Sequence, residues 1–489
     1  MNQHQALIQE LRQVRPPIER LTADSRQVRP GDAFLAFPGG AHDGRHHIAE
    51  AIRAGAGAVL WEPEGFAWQA EWTVYNRPLP GLKALAAEIA AEWYGHPSEA
   101  LWVIGVTGTN GKTSCSHWLA EALTGLGRRT AVIGTLGNGF PPSLSASSHT
   151  TPDVVTLQGL FAEFRAAGAD AVAMEVSSHA LDQGRVAQTR FDVAMLTNLS
   201  RDHLDYHGDM ASYAHAKARL FDWPGLKWAV LNVEDELGQR LYRDLKDGPT
   251  RVLGYGLRSG EVHAEKFVLD RNGMRLEVVT PWGRGELKTT LLGEFNAYNL
   301  LGCLAVLLAS GVELAGALAA LAKVKPVAGR LQRVEVEGPA PTVIVDYAHT
   351  PDALHKVLAT LKSLVHGGRL ICVFGCGGGR DKGKRPQMGG IASALADRVI
   401  VTSDNPRGED PAAIIAEILA GMPPGQTAVI DRQDAIAQAI AEAKPEDIVL
   451  IAGKGHEDYQ EIAGRRLHFS DVEEAARGLA KWRAEHAAH

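Results

Sequence analysis

Residues 101–113 read Leu-Trp-Val-Ile-Gly-Val-Thr-Gly-Thr-Asn-Gly-Lys-Thr, and no other stretch limits the fold of the chain so strongly. The apolar run at 101–106 predicts a buried parallel strand. Residues 108–113 turn it into a helix that runs on through Trp118, Leu119, Leu123 and Leu126. Gly108 and Gly111 let the backbone turn without a Cβ clash, so the N–H groups of Gly108, Thr109, Asn110, Gly111 and on to Ser114 can face phosphate oxygens. Lys112 can reach the terminal phosphates of a nucleotide, and the Thr113 hydroxyl can join the shell of a Mg²⁺ ion. The helix N-terminus adds partial positive charge. The generic motif wants glycine where Val106 stands, and Gly105 comes one place early. An ordinary glycine-rich turn is the alternative, but strand, Gly-Lys-Thr and helix together disfavour it. The segment predicts binding of ATP or GTP.

A chain of 489 residues is too long for one ordinary core, and roughly three domains are expected. A hydrophobic content of 45% with 22% charged residues describes a soluble globular protein. The net charge of −7 argues against bulk nucleic-acid binding, so anionic substrates must meet local basic clusters. The first fifteen residues lack a signal-peptide core, and the apolar stretch 300–309 is too short to span a bilayer. It reads as a buried helix. A cytoplasmic location without membrane insertion is expected. Cys115, Cys303, Cys372 and Cys376 form no paired zinc pattern and read as structural thiols.

The first hundred residues predict a small α/β unit, with strands at 33–37 and 58–61 and helices through Ile48 and Ile52 and over 82–93. Asp24-Ser25-Arg26 and the Gly39-Gly40-Ala41-His42-Asp43-Gly44 turn could hold a phosphate-bearing ligand or serve only as turn chemistry. A boundary is expected near His96-Pro97-Ser98. From there to about 330, strands at 130–133, 171–176, 191–196 and 228–231 alternate with helices, which implies a mostly parallel sheet. Residues 262–290 read as a small antiparallel insertion, and 314–321 as a helix. The remaining chain is a third α/β unit, with strands at 342–345, 370–374, 398–402, 427–430 and 448–452. Polar motifs follow four of these five strands, where such sheets build their sites.

Glu175 ends a strand of the sheet that carries the phosphate loop, where a carboxylate can hold Mg²⁺ directly or through water; a helix-capping box is the alternative. Residues 197–207 hold Asp202, His203, Asp205 and His207 just beyond another strand. By spacing alone, Lys217 belongs to a solvated basic helix face. In the third unit, Asp346-Tyr-Ala-His349, the Gly375–Arg385 segment containing Arg380, Asp404-Asn405-Pro406-Arg407 and Gly453-Lys-Gly-His-Glu457 each follow a strand. Together they offer an arginine for a carboxylate and acids for an ammonium, a set suited to a zwitterionic amino acid.

These motifs resemble those of the Mur ligases, the ATP-dependent amino-acid ligases of cell-wall (peptidoglycan) precursor assembly, over nearly the whole chain. The branch most similar is the one that adds the third residue to the UDP-muramoyl-dipeptide. The Gly-Thr-Asn-Gly-Lys-Thr loop is that family's own form, which accounts for Val106. The resemblance implies an α/β chain of three domains: a small N-terminal UDP-binding domain (1–98), a central P-loop ATPase domain with a parallel sheet (99–332), and a C-terminal Rossmann-like domain that takes the amino acid (333–489). It implies Lys112 and Thr113 on phosphate and Mg²⁺, Glu175 and His203 at the metal, and Lys217 carbamylated to give a further Mg²⁺ ligand. Asn296, Asn299, Arg330 and Asp346 fall where the family holds the nucleotide. Ser25 and Gly40-Ala41-His42 match its UDP end, while Thr150, Thr151, Ser177, Gln183 and Arg185 match the muramoyl-dipeptide region. His149 stands where some relatives have Asn.

Asp404-Asn405-Pro406-Arg407 is the form carried by members selective for meso-diaminopimelate. Arg407 would pair with the distal carboxylate, and Arg380, Gly453 and Glu457 would complete the pocket. The implied reaction passes through an acyl phosphate, and a monomer is expected. The rivals are the same step with L-lysine, a ligase adding a different residue, a folylpolyglutamate synthetase, and a nucleotide switch without ligase activity. A folate enzyme should lack the first domain with its Asp-Ser-Arg motif, and a switch should lack Glu175, His203, Lys217 and Arg407.

Overall fold

The computed structural model describes residues 3–39, 42–147, 149–270, 273–334, 336, 338 and 340–486. Three main sheets are each buried on both faces, and the alternation of side chains along their strands shows why. In the first sheet, β1 (Arg20–Thr22), β2 (Asp32–Ala36), β3 (Ala58–Trp61) and β4 (Tyr75–Pro78) run parallel in that order. Ala33, Leu35, Ala58 and Leu60 pack with leucines of the helices Gln3–Gln13 and Leu82–Tyr94. Phe34, Ala36, Val59 and Trp61 pack with Ile48 and Ala51 of the helix Ile48–Arg53. The short edge strands β1 and β4 have no counterpart in the sequence reading.

The second sheet contains β5 (Trp102–Thr107), β6 (Thr130–Gly134), β7 (Gly137–Phe140), β8 (Ser143–Ser145), β9 (Ala171–Glu175), β10 (Val193–Leu196), β11 (Trp228–Asn232) and β12 (Arg251–Tyr255). Their order is β12-β11-β10-β5-β9-β6-β7-β8. The six strands from β12 to β6 are parallel, and β7 and β8 finish the edge antiparallel. Ile104 and Val106 of β5 join a core with Trp118, Leu119 and Leu300, while Val103 faces a core with Phe161 and Met174. Between β9 and β10 the chain crosses over β5, so the crevice at the carboxyl end of β5 is a topological switch point. Residues 108–113 sit there.

The insertion is a three-stranded antiparallel sheet of β13 (His263–Asp270), β14 (Gly273–Thr280) and β15 (Gly283–Thr289), followed by the buried helix Glu294–Ala309. The third main sheet has β16 (Gln332–Arg333), β17 (Thr342–Asp346), β18 (Leu370–Phe374), β19 (Arg398–Val401), β20 (Thr427–Ala428) and β21 (Ile448–Ala452) in the order β16-β17-β21-β18-β19-β20. Only β16 is antiparallel. The last strand laid down, β21, is thus in the middle. Ile344, Cys372, Phe374 and Leu450 face one core, and Val343, Ile371, Val373 and Val449 the other. A separate hairpin of β22 (Tyr459–Ile462) and β23 (Arg465–His468) follows. The four cysteines are buried free thiols. Among the described residues, no helix is long and apolar enough to cross a membrane.

Candidate active site

The loop after β5 obtains its shape from glycine. Gly108 and Gly111 have φ of +147° and +89°, and a Cβ on Gly111 would stand 2.6 Å from Asn299 Oδ1. The loop therefore lies tightly against the helix Glu294–Ala309. Lys112 opens the helix Lys112–Gly125, and its Nζ donates to the carbonyls of Gly108 (2.8 Å) and Thr109 (3.0 Å). Burial pushes the Lys112 ammonium down, against the pull of Glu175 and Asp202. Ser114 is buried in the first turn of that helix.

Glu175 ends β9 in register with Val106 of β5, which brings its carboxylate to the loop. Thr113 Oγ1 donates to Glu175 Oε2 at 3.0 Å, and the backbone N–H of Thr135, just past β6, donates to Oε1 at 2.8 Å. Glu175 does not cap the following helix: Ser177 does so, accepting from Ala180 N at 3.1 Å. One cavity joins residues 109–114, Glu175 and His203 to Asn296, Asn299, Arg330, Asp346 and His349. Arg330 lies over the Tyr347 ring at 4.2 Å, with Nη2 donating to Thr113 Oγ1 at 3.4 Å. Asp346 accepts from the N–H groups of Leu331 (2.7 Å) and Ala348 (2.8 Å), while burial pushes its carboxyl up. Asn299 Nδ2 donates to Asn296 Oδ1 at 3.2 Å. The cavity spans the central and third sheets. Asn110 Nδ2 donates across it to Asp352 Oδ2 at 3.2 Å, and Arg201 pairs with Asp381 at 3.6 Å.

Lys217 corrects the reading from spacing. Its helix, Met210–Ala218, turns His215 to solvent but buries Lys217, whose exposure is 1%. Tyr213 and Lys217 share the inward face at i and i+4, with Nζ 4.5 Å from the ring centroid. Nζ donates to Gly108 O at 2.8 Å, the same carbonyl that Lys112 uses. Burial pushes the Lys217 amine far down, and the Lys112 charge pushes the same way. His203, at φ +55°, has Nε2 3.4 Å from Asp202 Oδ2, and burial lowers its imidazole to about 4.

Beside Glu175, the chain gathers Thr150, Thr151, Ser177, Gln183 and Arg185. Thr150 Oγ1 meets Thr135 Oγ1 at 3.0 Å, and Thr151 Oγ1 donates to Glu175 O at 2.8 Å. Ser177 N donates to Thr151 Oγ1 at 3.1 Å. Arg185 donates to Thr151 O at 3.1 Å and to Gln183 Oε1 at 2.7 Å. His149 is exposed; burial and Arg185 hold its imidazole below the ordinary value. Ser25 lies in a short helix capped by Asp24, whose carboxylate also pairs with Arg26 at 2.8 Å. His42 is exposed, with its carbonyl accepting from Gly39 N at 2.8 Å. Gly40 and Ala41 lie outside the described residues.

The other cluster sits at the carboxyl ends of β18, β19 and β21. Asp404 and Asn405 are buried. Asn405 Nδ2 donates to Glu457 Oε2 at 2.8 Å. Gly375–Arg385 supplies the carbonyl of Gly378, to which Arg407 Nη1 donates at 2.8 Å; Gly378 N in turn donates to Asn405 O at 2.9 Å, next to Pro406. Arg407 has φ +53°, a costly conformation for a side chain of this size, and is held by Glu461 O accepting from its N–H (2.9 Å) and by Glu461 Oε2 3.5 Å from its Nε. Gly453 packs against Asp404, with room for no Cβ: Asp404 Oδ2 would be 2.5 Å away. Arg380 is exposed on the same loop.

Sequence reasoning missed Thr135, Asp352 and Glu461, and it quoted Lys454 within a motif without giving it a role. Thr135 had one available signal, its place just past the end of a strand beside β9. The others enter through contacts between distant segments. Arg432 is another: fully buried with Asp471 at 2.7 Å, it donates to the carbonyls of Ser403 (3.2 Å) and Ala452 (3.0 Å) and so braces the ends of β19 and β21.

Three family models match the chain in succession: "Mur ligase family, catalytic domain" over 17–94, "Mur ligase middle domain" over 106–307, and "Mur ligase, glutamate ligase domain" over 329–455. The UDP-N-acetylmuramoyl-L-alanyl-D-glutamate--2,6-diaminopimelate ligase of Chromobacterium violaceum is 52% identical over 477 residues, 96% of each chain. A solved structure of a UDP-N-acetylmuramoyl-L-alanyl-D-glutamate--2,6-diaminopimelate ligase is 36% identical, with a TM-score of 0.66 over 97% of this chain and 99% of that one. The MurF ligase of Thermotoga maritima in complex with ADP shares the fold at 19% identity, with a TM-score of 0.70 over 96% of this chain and 98% of that one.

Proposed function

The chain belongs to the Mur ligase family, and we propose that it joins meso-2,6-diaminopimelate to UDP-N-acetylmuramoyl-L-alanyl-D-glutamate with conversion of ATP to ADP and phosphate. The cavity that sets residues 109–114 and Glu175 opposite Arg330, Asp346 and His349 carries this reading. It offers a triphosphate one wall from each of two sheets. Residues 1–98, 99–332 and 333–489 act as the UDP, ATP and amino-acid units.

In the first step an oxygen of the D-glutamyl side-chain carboxylate attacks the γ-phosphorus, and the bond to ADP breaks, leaving an acyl phosphate. The free amine of diaminopimelate then attacks the acyl carbon, loses its proton, and phosphate departs. The loop N–H groups and Lys112 hold and neutralise the phosphates, where phosphoryl transfer has most need of charge stabilisation. Asn296, Asn299, Arg330 and Asp346 hold the nucleoside end. Thr150, Thr151, Ser177, Gln183 and Arg185 orient the muramoyl-dipeptide, with His149 at its margin, and Ser25 and His42 take the uridine end with Gly40 and Ala41. Arg407 pairs with the distal carboxylate of diaminopimelate, with Arg380, Asp404, Asn405, Pro406, Gly453 and Glu457 around it.

The donors near the loop suit Mg²⁺. Thr113 and Glu175 offer hard oxygens side by side, and among the described residues no cluster of three or more His, Cys, Asp or Glu is poised to grip a metal alone. Mg²⁺ takes one or two protein oxygens and completes its shell with phosphate and water. When bound it would offset phosphate charge, with Thr113 and Glu175, and His203 and a Lys217 carbamate nearby, as its protein partners.

The test is ADP release in the presence of the UDP-muramoyl-dipeptide, comparing meso-diaminopimelate with L-lysine. Turnover with diaminopimelate and little with lysine is expected. No turnover with either amino acid sinks the ligase reading, while equal rates sink the role given to Arg407.

A further inference from the structure

Lys454 is 0% exposed, a placement that costs a lysine its hydration and most of its rotamer freedom. An unbranched apolar side chain of similar length would fill the same space without that cost. Such a side chain could not, however, donate the two hydrogen bonds that Lys454 makes at its tip. Nζ is 3.0 Å from Glu457 Oε2 and 3.1 Å from Asn405 Oδ1, with the Tyr459 ring centroid 5.4 Å away. Asn405 completes the triangle by donating from Nδ2 to the same Glu457 Oε2 at 2.8 Å.

Two consequences follow from this geometry. Glu457 Oε2 is saturated by two donors, whereas Glu457 Oε1 has no hydrogen-bond partner among the described residues. Glu457 is only partly buried, so that second oxygen is reachable. Asn405 Oδ1 also accepts from Glu461 N at 2.9 Å, and Glu461 in turn holds the backbone and guanidinium of Arg407. Lys454 therefore ties the acidic pole of the pocket to its basic pole through a single asparagine.

We propose that Lys454 is a positioning residue for the amino-acid substrate, fixing Glu457 so that Oε1 meets a substrate ammonium at a set separation from Arg407. Lys454 touches no reacting atom. This inference rests on the ligase reading above.

The experiment measures KM for each of the three substrates, and kcat, in Lys454→Met and Lys454→Gln, with thermal melting as the check on folding. Removing a hydrogen bond to a charged group should raise KM for diaminopimelate about tenfold or more. KM for ATP and for the UDP-muramoyl-dipeptide should stay within about twofold, kcat at saturation should be largely kept, and Lys454→Gln, which retains a donor, should fall between Met and the parent. A lysine that merely supports the fold would move all three KM values together, and that result overturns the proposal. So does an unchanged KM for diaminopimelate in a folded variant. Should Lys454→Met fail to fold, Lys454→Gln alone decides between the same outcomes. Absence of turnover in the parent protein would remove the ligase reading and this inference together, whereas parental turnover with unaltered variant KM removes this inference alone.

Discussion

Lys217 and Lys454 are equally sealed from water, at 1% and 0% exposure, yet they meet opposite partners. Lys454 faces a carboxylate at 3.0 Å and forms a buried ion pair. Lys217 faces a backbone carbonyl that it shares with Lys112, and no acid lies within ion-pair distance among the described residues. Burial pushes the Lys217 amine well below the ordinary lysine range, the Lys112 charge pushes the same way, and Asp202 is only a partial counterweight. A neutral buried amine is a nucleophile; an ion-paired one is a fixed charge. The partner, rather than the depth of burial, decides which kind of chemistry a hidden lysine can support. Addition of the neutral Lys217 amine to carbon dioxide, with loss of one proton, would give a carbamate anion that Lys112 attracts.

The largest expected effect separates the two lysines most sharply. Lys217→Ala should cut kcat by about a thousandfold or more, on the scale of removing an electrostatic stabiliser from a phosphoryl-transfer site. Short carboxylic acids added to the assay should restore part of it, whereas they should do nothing for Lys454→Met. Full activity in Lys217→Ala would reduce that lysine to packing. Next in size is Arg407→Ala, expected to lower kcat/KM for diaminopimelate about ten- to a hundredfold through loss of a charge-assisted pair, and to narrow the preference over L-lysine. An unchanged preference would move the specificity of the pocket elsewhere.

The smallest effect concerns the boundary between the two sites, where His117 and His456 both lie near Arg330. Burial lowers His117 to about 4 and His456 to about 3, and among the described residues His117 Nε2 and His456 Nδ1 have no hydrogen-bond partner. Unfolded, each imidazole takes up a proton near the ordinary histidine value of 6.5; folded, each stays neutral well below that. The unfolded chain thus binds more protons in between. Stability that is complete above pH 6.5 should fall progressively as pH drops toward 4 and then 3. Denaturant midpoints across that range should fall more gently in His117→Phe, and an identical slope would show that other groups set the acid limb.

What could be read from the chain follows the same division as the two lysines. The phosphate loop is local: its strand, glycines and helix are contiguous, and the structure differs from the reading at β5 by a single residue at each end. The long apolar strands of the third sheet, such as 370–374 and 448–452, are equally plain because both faces are buried. Short edge strands such as β1, β4 and β8 carry too few apolar residues to stand out. Burial of Lys217 escapes periodicity because its helix is short and its alanines look the same on every face. The roles of Lys454, Glu461 and Arg432 arise only when β19, β21 and the β22–β23 hairpin come together, and spacing along the chain holds no trace of that. For Lys217, family resemblance supplied a role that the residues alone argued against.

The central position of β21 sets an order of events in biosynthesis. The second sheet can close once residue 255 has left the ribosome, so the ATP-binding fold has all its strands while half the chain is still to be made. The third sheet cannot close until Ile448–Ala452 slides between β17 and β18, which until then expose unpaired edges to one another and to any other chain. Pairing across about a hundred residues is slow to find. The side-chain cluster at the ends of β18, β19 and β21 therefore forms later than the second sheet, only once Ile448–Ala452 is in place. A chain ending before residue 448 would have every strand of the sheet that carries residues 108–113 and Glu175, but not the closed third sheet that supplies Asp346 and the second wall of the cavity.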